Sequence, residues 1–122
     1  MANFVLMLQS RYRPVSQDER YIIILEDYTS FSNVDAVERY FAHIVQSALF
    51  SQTDAIFMGA YDSTNRDDLN EILDRYANRY SIPIIKNDDF GHDINNAILP
   101  LGLGAVLDTD AMTLEFDESP VI

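Results

Sequence analysis

The chain has 122 residues, 48% of them apolar, with no cysteine and a net charge of −12 from 20 acidic and 8 basic side chains. That length makes one domain (residues 1–122) large enough for a core, and the missing cysteine excludes disulfides, a thiolate nucleophile and a Cys-based zinc site. The acidity argues against nucleic-acid partners, and no apolar run approaches the ~20 residues of a membrane span, nor does a secretory leader open the chain, so a cytoplasmic protein is expected.

Ala2 to Gln9 is apolar on nearly every side over two helical turns, so a helix there needs cover all round although terminal segments tend to fray. Ser10 to Arg20, with Pro14 and several charges, reads as a connector. Tyr21-Ile22-Ile23-Ile24-Leu25 is a continuous, mostly β-branched run, as in a strand buried on both faces of a parallel sheet, and it stops at Glu26-Asp27. Ser30-Phe31-Ser32-Asn33 then offers helix-capping residues with Asp35 following, and Val34, Val37, Phe41, Ile44, Val45 and Ala48 form one stripe at helical spacing. His43 falls on the opposite, solvated side.

Ala55-Ile56-Phe57-Met58 predicts a second strand ending at Gly59. Thr64 with Asp67 repeats the capping pattern ahead of Leu69, Ile72, Leu73, Tyr76, Ala77 and Tyr80, a second helical stripe. Pro83-Ile84-Ile85 predicts a third strand, leading into a polar loop, Asn87-Asp88-Asp89-Phe90-Gly91-His92-Asp93. Ala105-Val106-Leu107 and Met112 to Phe116 flank Asp108-Thr109-Asp110-Ala111 as a hairpin, and residues 117–122 read as a loose tail. Strand, helix, strand, helix, strand, hairpin predicts an α/β fold with a small, mainly parallel sheet, flanking helices and a C-terminal β-hairpin.

In such folds chemistry collects beyond the carboxyl ends of the strands, where Glu26 and His92 both fall. A carboxylate fixing an imidazole while the other ring nitrogen takes a proton makes a general-base pair. Equally, Glu26 could cap a loop and His92 make a structural hydrogen bond, and the residues leave both readings open. Asp88, Asp89, His92 and Asp93 resemble a metal cluster in composition but lack ligand spacing, and Asp108-Thr109-Asp110 lacks the glycine and distal glutamate of a calcium loop, so no metal or cofactor is expected. Ser63 sits at a helix start, and no G-x-S-x-G elbow supplies a nucleophile. A receiver-like phosphoacceptor domain, with Glu26-Asp27 holding magnesium, Asp62 phosphorylated and Lys86 on the phosphate, is a rival. It meets the wrong spacings and about three strand–helix units where five are needed.

The blocks Ile22-Ile23-Ile24-Leu25-Glu26-Asp27, Asp54 to Gly59, Ile82-Pro83-Ile84-Ile85 with Phe90-Gly91-His92, and Leu99-Pro100-Leu101-Gly102 resemble, in order and spacing, the C-terminal domain of the LD-carboxypeptidases of murein recycling and the related microcin C self-immunity peptidases. The resemblance implies a β/β/α swivelling-type domain of a cytoplasmic serine peptidase that removes a terminal D-amino acid, typically D-alanine, from a murein tetrapeptide through a Ser-His-Glu triad. It implies that Glu26 and His92 supply two triad members. The nucleophilic serine and oxyanion hole would belong to an N-terminal domain with no counterpart in this sequence.

The family's Gly-Gly-Asn segment precedes its opening helix, whereas this chain starts at Met1-Ala2-Asn3-Phe4, which suggests an excised domain or truncated gene product. The expected partners are the nucleophile domain, a murein peptide and a second copy contacted through residues 2–9, and the isolated chain is expected to be inactive. The alternative is a non-catalytic interaction or dimerisation domain left from such an enzyme.

Overall fold

A computed structural model describes residues 1–8, 10–11, 16, 18–27, 33–61, 66–92 and 96–118. The helices are α1 (Ala2–Leu8), α2 (Val34–Val45) and α3 (Arg66–Tyr80). The strands are β1 (Tyr21–Leu25), β2 (Thr53–Ala60), β3 (Ile84–Gly91), β4 (Ala105–Asp108) and β5 (Thr113–Phe116), with a 3-10 turn at Phe50–Gln52. Strands β1, β2 and β3 form a parallel sheet with β2 in the middle, while β4 and β5 pair antiparallel. The fold is α/β, as the element order in the sequence predicts.

Strand alternation divides the parallel sheet into two faces. Ile23 pairs with Ile56 and Leu25 with Met58, and these four join Val5, Leu8, Val37, Phe41, Ile44, Leu69 and Leu73 in one buried cluster. The three helices therefore cover this face, and each large aliphatic or aromatic side chain buried there contributes about 1.5–3 kcal/mol. Phe41 rests against Tyr76 at 5.2 Å between ring centroids, tying α2 to α3. On the other face Ile22 pairs with Ala55 and Ile24 with Phe57, and the next step beyond the ladder sets Glu26 beside Gly59.

Local chemistry accounts for the element ends. The Asn33 side chain accepts a hydrogen bond from the Ala36 amide at 3.1 Å and caps α2, with Asp35 in its first turn. Ser30 and Ser32, expected as caps, lie outside the described residues, as do Pro14, Asp62, Ser63, Thr64, Asp93 and the last four residues of the expected tail. Asp117, placed in that tail, is fixed by a 2.9 Å bond from its amide to the Gly104 carbonyl. In the hairpin turn, Asp108 Oδ1 accepts from the amides of Asp110 (2.9 Å) and Ala111 (2.8 Å), a local turn-forming role for that carboxylate.

Three expectations need correction. Ala48 leaves the predicted stripe and is exposed, because α2 ends at Val45. The terminal helix is better covered than its all-round apolar sequence suggests: Val5 and Leu8 are buried, Phe4 packs on the core, and of its apolar side chains only Leu6 is largely exposed, at 72%. Finally, β3 runs on to Gly91, so most of the expected polar loop is strand. Its register explains why the sequence reads as a loop. Lys86 faces Met58 and Gly91 faces Ala60, so β3 advances five residues while β2 advances two. The surplus residues are the polar Asn87-Asp88-Asp89 stretch, bulged out of the ladder.

Candidate functional site

Glu26 follows the last residue of β1, and His92 follows the last residue of β3. They are 66 positions apart in the chain, which contributes α2, β2, α3 and β3 between them, and the parallel sheet returns both side chains to its carboxyl edge. There His92 Nδ1 meets Glu26 Oε1. A carboxylate only accepts, so Nδ1 donates in this contact, and whenever the ring is neutral the lone pair is on Nε2. The Glu26 side chain is two-thirds covered and that of His92 is 61% exposed, an arrangement in which the carboxylate is held and the imidazole edge is presented outward.

The two strands are not neighbours, since β2 separates them. Two residues missed as site components make the contact across β2 feasible. Gly59 leaves the space above the middle strand empty, and Gly91, at φ +109°, turns the chain sharply just before His92. A Cβ on Gly91 would lie 3.0 Å and 3.1 Å from the amide nitrogen and carbonyl oxygen of Ala60 and 3.2 Å from Glu26 Cγ. Phe90, buried and stacked on Phe57 at 5.3 Å, anchors the end of β3 against the sheet. The sequence marked Gly59 as the end of an apolar strand and Gly91 only as part of a polar loop, and neither signal pointed to their shared neighbour Glu26.

The backbone of Glu26 is fixed as well. The α-ammonium of Met1 donates to the Glu26 carbonyl at 3.1 Å and pairs with Asp27 Oδ2 at 2.8 Å, joining the start of α1 to the end of β1. Around the pair is an open cleft of about 540 Å³, lined by Ile24, Phe90, Asn96, Ala97, Leu99 and Leu101. Leu101, in that lining, is 74% exposed and gives the cleft an open apolar edge. Among the described residues lining this cleft, none carries a hydroxyl or a thiol.

Other candidates separate from this site. His43 is exposed on α2. Lys86 pairs with Asp88 and lies 5.0 Å from the Tyr61 ring, while Asp62 of the receiver reading lies outside the described residues. Among the described residues no three His, Cys, Asp or Glu side chains gather as metal ligands, and no helix is long and apolar enough to cross a membrane.

A family model described as the LD-carboxypeptidase C-terminal domain matches residues 1–107. The chain is 28% identical over 102 residues to a Vibrio cholerae protein that bears the name of a carboxypeptidase, a match spanning 80% of this chain and 30% of that protein. It superposes with a TM-score of 0.74 and 23% identity on the crystal structure of muramoyltetrapeptide carboxypeptidase from Oxalobacter formigenes, covering 93% of this chain and 40% of that one. The chain thus spans well under half the length of either relative.

Proposed function

The chain belongs to the LD-carboxypeptidase C-terminal domain family, and from that premise we propose that it supplies the general base and its orienting carboxylate to a serine-type LD-carboxypeptidase. The observation that carries this reading is the meeting of Glu26 with His92 Nδ1 at the carboxyl edge of the sheet, beside an open cleft. Glu26 holds the imidazole in the tautomer whose Nε2 is basic and stabilises the imidazolium once it forms. His92 takes the hydroxyl proton of a serine carried by an N-terminal nucleophile domain, and the serine oxygen attacks the scissile carbonyl. The imidazolium then returns the proton to the departing amine of a terminal D-amino acid, D-alanine in a murein tetrapeptide. A water activated by the same nitrogen releases the acyl group and restores the serine. The absence of a hydroxyl or thiol among the described cleft residues fits this division, and the exposed apolar edge at Leu101 is a surface on which a nucleophile domain could seat.

The test is release of D-alanine from a murein tetrapeptide. The chain alone should give none above background, because nucleophile and oxyanion hole together supply most of the rate. Put in place of the C-terminal domain of an LD-carboxypeptidase, it should support release. Release by the isolated chain that survives His92→Ala would refute the assignment.

A further inference from the structure

The Glu26–His92 contact poses a steric problem. Neighbouring strands lie about 4.8 Å apart, so the outer strands of this sheet are separated by roughly twice that, and the two side chains must meet above β2. On that face of β2 the outward positions alternate as Ala55, Phe57 and Gly59, and Phe57 already fills its space by stacking on Phe90. Gly59 stands where the next side chain would rise. A Cβ there would fall 2.8 Å from Phe90 Cε2, 3.2 Å from Phe90 Cδ2 and 3.2 Å from Glu26 Cγ. The Phe90 ring is buried and lies nearly parallel to Phe57 (11°), so it cannot swing aside as a free side chain would. Pushing it moves the end of β3, two residues before His92. One methyl group at position 59 therefore presses on both partners: directly on the Glu26 stem, and through Phe90 on the backbone that aims His92.

We propose that Gly59 is a positioning residue for the Glu26–His92 pair, an empty place on the middle strand through which the carboxylate of one outer strand reaches the imidazole borne by the other. The proposal rests on the reading of Glu26 and His92 as orienter and base. It also accounts for a glycine in the buried, apolar half of β2, where glycine adds nothing to packing and weakens the strand.

Nitrogen-15 spectra of the imidazoles in the whole chain, recorded where both histidines are neutral, test it, because they report which ring nitrogen bears the proton. The exposed His43 serves as internal reference. In the wild type His92 should hold its proton on Nδ1, and Glu26→Ala should abolish that preference. Gly59→Ala should lose it to the same extent while the rest of the sheet keeps its amide spectrum, and adding Phe90→Leu, which shortens the obstructing ring, should restore it. A folded Gly59→Ala chain with the wild-type Nδ1–H signature overturns the proposal but leaves the pair standing. A wild type whose signature does not depend on Glu26 overturns the pair, and the proposal with it. Should Gly59→Ala fail to fold, the double variant decides: recovery of the signature supports the proposal, and its absence or failure of that variant to fold overturns it.

Discussion

Gly91→Ala should be costly in a way that a second glycine calibrates. At φ +109° an L-residue sits in a sparsely populated region, a strain of about 1–3 kcal/mol. The new methyl also meets the Ala60 amide nitrogen at 3.0 Å and carbonyl oxygen at 3.1 Å. These backbone atoms are held in the β2–β3 ladder by the Ala60–Gly91 pairing and cannot rotate away, so crowding adds roughly 1–3 kcal/mol more, as overpacking does elsewhere. Reduced freedom of the unfolded chain returns about 0.4–1 kcal/mol. A net loss near 3 kcal/mol follows, a large part of the ~5–15 kcal/mol that stabilises a domain. Gly102 has a similarly positive φ of +82° with nothing within 4 Å of its would-be Cβ, so Gly102→Ala should suffer strain alone and, after the same entropic return, cost about 1–1.5 kcal/mol. Urea denaturation of both variants, with unchanged m-values, measures the difference. Equal destabilisation of the two, or a Gly91→Ala chain within about 0.5 kcal/mol of wild type, would refute the argument that close strand approach beneath His92 demands glycine.

In the core, Phe41→Ala empties a fully buried site against Tyr76 and should cost about 3–5 kcal/mol in the same urea assay, whereas a loss below about 1 kcal/mol would contradict the packing of α2 on α3. The guanidinium of Arg20, hydrogen-bonded to Asp54, holds that carboxyl below its ordinary value of 3.8. The stabilisation this gives is present above about pH 4 and is lost as pH falls through the lowered value, so Arg20→Gln and wild type should differ slightly in melting temperature near neutrality and converge in acid; divergence in acid would contradict the pairing. If residues 2–9 mediate self-association, sedimentation at rising concentration should reveal a reversible dimer that Leu6→Glu weakens. Burying one leucine is worth about 1.5–3 kcal/mol, so the dissociation constant should rise at least tenfold, and a strictly monomeric wild type would rule the interface out.

The sequence carries the fold and the two ends of the site, but little of what lies between. Period 3.6 in α2 and α3 and the apolar runs of β1 and β2 mark themselves, because one stripe or strand must face a core. Glu26 and His92 are legible as groups closing strands. What is not legible is the spatial order of the strands. Nothing local states that β2 lies between β1 and β3, so the need for an empty place at Gly59 cannot be read from the chain. The course of Asn87 to Gly91 is hidden for a related reason: its polar residues look like a loop because their side chains bulge from the ladder, while Phe90 alone turns inward and is fixed by Phe57. The terminal helix misleads in the opposite direction. Its composition signals exposure, but α2 offers a surface that takes up Val5 and Leu8.

The role of His92 as the base of a serine carboxypeptidase is tested most directly by one rate. With this chain joined to the nucleophile domain of an LD-carboxypeptidase, D-alanine release from a murein tetrapeptide is followed for the wild type and for His92→Ala. Loss of the base should lower kcat by about 10⁴-fold with little change in KM, since the imidazole acts on the reacting proton rather than on ground-state binding. A variant that keeps its kcat within about tenfold of the wild type would contradict the account, because general-base assistance from a positioned histidine is worth more than that.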